Sequence, residues 1–150
     1  MGYDVKTLLE TVQDTLQSAD SDYSYLDSVD DYNILLGYQG SQDQYRFPAI
    51  YLEPYDDEIE DWKDGYQHSK LRLGLFVIVK AYTQEDALDD LRYLVGDIYD
   101  ILMLNSNRNV GGNAELLTIK EHNFDSHPAR DSVLAFCEML VEIRRDTVVS

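Results

Sequence analysis

Asp20, Asp22, Ser24, Leu26, Ser28 and Asp31 fall on positions 1, 3, 5, 7, 9 and 12 of a calcium-binding loop, a spacing that gathers oxygen ligands around a hard cation. The match fails where the geometry is strictest. Position six needs glycine for its sharp turn and is Tyr25, position eight is Asp27, and the following segment reads as a strand rather than a helix. The segment is therefore read as an acidic loop. His122 and His127 flank Asp125, but His68 is remote, and no HExxH or CxxC spacing supplies the remaining ligands of a zinc site. These histidines read as loop residues. The single cysteine, Cys137, sits on the apolar face of a strand and reads as a small buried hydrophobe; alone, it excludes an intramolecular disulfide. Gly111 and Gly112 lack the rest of a phosphate loop, and no GxSxG elbow occurs. Carboxylates are abundant, but abundance does not make an acid–base pair, which requires a perturbed pair in a cleft. No catalytic, cofactor or metal residues are assigned, and the chain is not read as an enzyme.

The elements that would position any site follow from the apolar spacing. Val5, Leu8, Leu9, Val12 and Leu16 mark one face of a helix over 4–18, with Asp4 as its N-cap. Residues 20–31 read as a loop, Tyr32 to Gly37 as a short strand, and Phe47 to Glu53 as a second strand ended by Pro54. The stretch 54–66 is acidic, contains Trp62 and Gly65, and is expected to form a long loop or hairpin arm. Alternation from His68 to Tyr82 gives a long strand, with Leu71, Leu73, Leu75, Val77 and Val79 on one face. Thr83 then caps a helix whose buried stripe runs from Ala87 to Leu102. After a turn-rich connection over 105–113 come a short strand from Leu116 to Glu121, a polar loop from His122 to Arg130, and a long strand from Val133 to Arg145. The resulting order is α-β-β-β-α-β-β. It implies an α+β single domain, a mostly antiparallel four- to five-stranded sheet with two helices packed on one face.

The chain has 150 residues, 44% of them hydrophobic, enough for one packed core. Its 29 acidic and 12 basic side chains leave a net charge of −17, which opposes ordinary nucleic-acid binding and docking on anionic membranes. No apolar stretch approaches the ~20 residues of a spanning helix. No basic leader is present, and Lys6 breaks a myristoylation motif begun by Gly2. The chain is expected to be soluble. The charge is uneven: residues 1–66 carry 16 acidic and 3 basic side chains together with nine of the twelve tyrosines. An acidic, tyrosine-rich half is a candidate contact surface, since tyrosine suits surfaces that are part apolar and part wet.

The amphipathic first helix, the strand opening Phe47-Pro48-Ala49-Ile50-Tyr51, the acidic arm, the strand Leu71 to Ala81, the helix Glu85 to Leu104 and the last strand Val133 to Ile143, preceded by Arg130, together resemble the tail terminator, or tail-tube completion, proteins of long-tailed phages. The resemblance implies a structural virion protein of the tail or neck, made in the host cytoplasm, which forms a homo-oligomeric ring, commonly a hexamer. Such a ring caps the head-proximal end of the tail tube, stops its polymerisation and joins it to the head-side neck or connector protein. DNA passes through without specific binding, and no cofactor or membrane is involved. On that basis Asp56, Asp57, Glu58, Glu60, Asp61 and Asp64 are expected to supply acidic groups to the channel or its rim. Tyr55 and Trp62 are expected at the subunit interface. Another head–tail connector or a tail-tube-like protein shares the same outline. An acidic adaptor domain, a protein adapted to high salt and a small enzyme are the readings outside that class.

Overall fold

A computed structural model describes residues 5–37, 47–61 and 65–148. Helix α1 (Val5–Gln17) buries Leu8, Leu9, Val12 and Leu16, the expected stripe, while Asp4 lies outside the described residues. The segment read as a loop over 20–31 is partly helical. A 3-10 turn (Ser21–Tyr23) leads into the four-residue α2 (Ser24–Asp27), and a second 3-10 turn covers Asp31–Asn33. Tyr32 lies in that turn, so strand β1 is only Ile34–Leu36.

Strand β2 (Ala49–Asp61) does not end at Pro54. It continues with a bulge between Pro54 and Asp56 and pairs antiparallel with β3 (Tyr66–Ala81) out to Asp61 and Gln67. The acidic arm is thus a β-hairpin, closed by Gly65 at a φ of 79°. Proline is tolerated at this point because the strand lies beyond the reach of β1, where a missing N–H costs the sheet nothing. Helix α3 (Gln84–Leu102) follows, and Thr83 Oγ1 accepts from the Asp86 amide at 3.2 Å as its N-cap. The polar stretch from His122 to Arg130 is also not a loop. Strand β4 runs Leu116–Ala129, pairs antiparallel with β5 (Ser132–Val148) and carries a bulge between Ile119 and Glu121. Its polar composition suits an edge strand with one face to solvent.

The sheet order is β1-β2-β3-β5-β4, with β1 parallel to β2 and the remaining pairs antiparallel. The expected α+β class holds, with five strands and α1 and α3 on one face. Leu71, Leu73, Leu75 and Val77 of β3 and Cys137, Met139, Val141 and Ile143 of β5 form the floor of the core, and the stripe of α3 from Ala87 to Leu102 closes it. Four side chains tie the helical layer together. The Asp97 carboxylate on α3 accepts from the Tyr25 and Leu26 amides at 2.8 and 3.1 Å, and Gln13 of α1 donates to the Ile34 carbonyl at 2.7 Å. Tyr25 stacks on Tyr93 with ring centroids 4.7 Å apart.

Candidate functional site

Because the helices cover one face of the sheet, the opposite face is decided by what the strands place on it. Cross-strand register sets the rows: Tyr51, Phe76 and Glu138; Glu53, Gly74 and Leu140; Asp56, Arg72 and Glu142; Glu58, Lys70 and Arg144. The face is therefore divided. Toward the start of β2 it is aromatic and apolar, and toward the arm it is charged.

In the apolar part Tyr51 stacks on Phe76 with centroids 4.6 Å apart, and Tyr55 meets Phe76 edge-on at 6.3 Å. Phe136 packs against His127 at 5.5 Å, and the Lys80 ammonium stands 5.9 Å from the Phe47 ring. Tyr55 is placed here by the bulge, which adds a residue without a partner and leaves its ring lying across β3. That path exists because residue 74 is glycine: a Cβ there would stand 2.7 Å from Tyr55 Cζ and from Phe76 Cε2. The Tyr55 hydroxyl donates to Glu138 Oε2 at 2.6 Å. Burial first, and the adjacent Glu138 carboxylate second, push its pKa up. Beside it lies a groove of about 370 Å³ bordered by Tyr55, Arg72, Lys120, Leu140 and Glu142.

The arm separates the acidic residues by strand parity. Asp56 lies on the uncovered face, where Arg72 Nε donates to its Oδ1 at 2.7 Å, and Glu58 and Glu60 are exposed on the same side. Asp57 points the other way. Its Oδ2 accepts from Arg145 at 2.7 Å, and Arg145 also donates to Ser69 Oγ at 3.1 Å, so a guanidinium 6% exposed is held by β2 and β3 together. Asp57 Oδ1 is buried and has no hydrogen-bond partner among the described residues. Desolvation raises the Asp57 pKa, outweighing the pull of Arg145 in the other direction. Asp61 pairs with Gln67 through the backbone, while Trp62 and Asp64 lie outside the described residues. Toward the turn end of the arm, across from Glu60, His68 contacts Asp146. A hydrogen bond between the Glu115 and Asp146 carboxyls holds the first pKa up and the second down.

The other chemical candidates are dispersed. The odd spacing of His122 and His127 places them on opposite faces of β4: His122 sits between Tyr99 and Phe124, and His127 pairs with Asp125 at 3.0 Å. Asp20 and Asp30 cap their own turns, accepting from the Asp22 and Tyr32 amides. Cys137 is buried, and desolvation pushes its thiol up to about 12. Among the described residues no group of three or more His, Cys, Asp or Glu side chains could hold a metal ion, and no helix is long and apolar enough to cross a membrane.

The residues that organise this surface, Gly74, Phe76, Arg72 and Glu138, went unsingled in the sequence. One signal was present. On the uncovered side β3 reads Arg72, Gly74, Phe76, Ile78, Lys80, and a glycine amid large side chains in a strand marks a close approach by another group.

No family model and no curated protein matches the sequence. The fold is similar to that of a chain in the solved virion of a native gene transfer agent particle, with a TM-score of 0.67 and 12% identity over 97% of this chain and 100% of that one. At that identity the likeness establishes a shared fold.

Proposed function

We propose that this chain is a structural virion protein that acts as a tail terminator: a homo-oligomeric ring, six-membered by family resemblance, seated on the head-proximal end of a tail tube. The observation that carries the reading is the correspondence of fold with a virion chain over 97% of this chain and 100% of that one. A ring of identical subunits needs two different complementary patches on each copy. The divided sheet face and the acidic helical layer provide surfaces of different character. Tyr55, fixed over Gly74, and Trp62 are assigned to the subunit contact. Asp56, Glu58 and Glu60 share one exposed side of the arm and are assigned to the channel or its rim, where carboxylates repel passing DNA. Asp57 is assigned a structural part within the arm, because Arg145 holds it. One surface of the ring would meet the tube protein and the other the head-side neck protein.

Electron microscopy of the purified chain, followed by localisation in the particle with a labelled copy, tests this. A closed ring at the junction of head and tail supports the terminator role. Label repeated along the tube contradicts it and favours a tube protein.

A further inference from the structure

Among the described residues, one stretch of sheet edge has a backbone that no other strand uses. β1 meets β2 only at Ile50, Tyr51 and Leu52, and the Gly37 amide closes that ladder on the Leu52 carbonyl at 2.8 Å. From Glu53 to Asp61, β2 is paired on one side by β3, and among the described residues no backbone hydrogen bond is made on its other side. Pro54, which lacks an N–H, and the bulge at Tyr55 blunt the first part of this edge, while Asp56 to Asp61 keep a regular register with β3 and form a template for another strand.

Side chains narrow what can occupy it. Residues 49–61 contain no basic side chain, and Glu58 and Glu60 make no ion pair among the described residues. On the opposite face of the same strand Ile59 is 50% exposed. The edge thus presents acid on one face and an apolar group on the other. A second copy of the same edge is excluded by like charge, and the β4 edge carries Glu121 and Asp125 beside Lys120, so it offers little complementarity.

We infer that residues 56–61 accept, by strand addition, an extended segment of another protein in which Lys or Arg alternates with apolar residues. The basic side chains would lie beside Asp56, Glu58 and Glu60, and an apolar one beside Ile59; backbone hydrogen bonds supply affinity and the charges select the partner. The inference uses carboxylates that the ring reading gives to the channel rim; peptide binding without ring closure, or ring closure without peptide binding, separates the two.

The probe is a ten-residue peptide of alternating Lys and Val, compared with one of alternating Glu and Val and with a lysine peptide whose second and fourth valines are proline. The proline version keeps the charge but cannot pair along its length. Titration monitored by NMR and amide exchange is expected to show slowed exchange at alternate amides within 56–61. Affinity should fall at least tenfold for the proline peptide, and the glutamate peptide should not bind. Glu58→Lys with Glu60→Lys should weaken the lysine peptide at least tenfold. If that variant does not fold, the proline comparison on the unmodified protein decides alone. Equal affinity of the lysine and proline peptides, or protection appearing on β4 or the helices instead, overturns the inference.

Discussion

Tyr55 lies over Gly74, its ring filling the space that any side chain at residue 74 would occupy, and its hydroxyl reaches across β3 to Glu138. Three strands are thereby locked at the boundary between the apolar and the charged parts of the uncovered face.

Gly74→Ala must push the Tyr55 ring off β3. It is expected to destabilise by about 1–3 kcal/mol, the usual cost of overpacking. In a Tyr55→Ala background the same change should cost less, with the approach of Phe76 Cε2 to 2.7 Å left to relieve, so a double-mutant cycle in urea should give a measurable coupling. Additive effects would show that the two residues do not compete for the same space.

The Asp57 and Arg145 pair should behave as a buried pair rather than a surface one, because the two side chains are 11% and 6% exposed. Asp57→Ala removes the buried carboxylate that accepts from Arg145 and is expected to cost about 3–5 kcal/mol. Replacing both partners, Asp57→Leu with Arg145→Met, should recover most of that. Equilibrium unfolding of the three variants checks the order.

Burial between Tyr99 and Phe124 lowers the pKa of His122 below its ordinary 6.5. The folded state then binds this proton less readily than the unfolded state, so stability is fully present above about 6.5 and is lost as pH falls toward the lowered value. Urea midpoints at pH 5 and 7.5 should differ less in His122→Phe than in the unmodified chain. An equal pH response in both would remove His122 from the account.

Cys137, with its thiol held up to about 12 inside the core, should resist a disulfide reagent in the native state and react fully in denaturant. Rapid native modification would place it at the surface.

Much of this was legible in the residues. The stripes of α1 and α3, the Thr83 cap and the alternation in β3 follow local rules that the tertiary structure left intact. The failures share a cause. Pro54 signals an end only if its N–H is needed, and the need depends on whether a neighbour lies alongside, a tertiary fact that sequence does not display. From His122 to Ala129 an edge strand with a wet face has the composition of a loop, and the bulge between Ile119 and Glu121 puts it out of phase with the apolar residues that begin β4. For the same reason the acidic arm could be read as one cluster. Once the bulge and the strand parity are known, Asp57 separates from Asp56, Glu58 and Glu60.

The central claim is closure into a ring, and the mass of the purified chain in solution tests it most directly. Native mass spectrometry and sedimentation over the micromolar range are expected to give one closed species, about six times the 17.3 kDa of the chain, that does not grow further with concentration. A monomer throughout, or a polymer that lengthens as concentration rises, would contradict it.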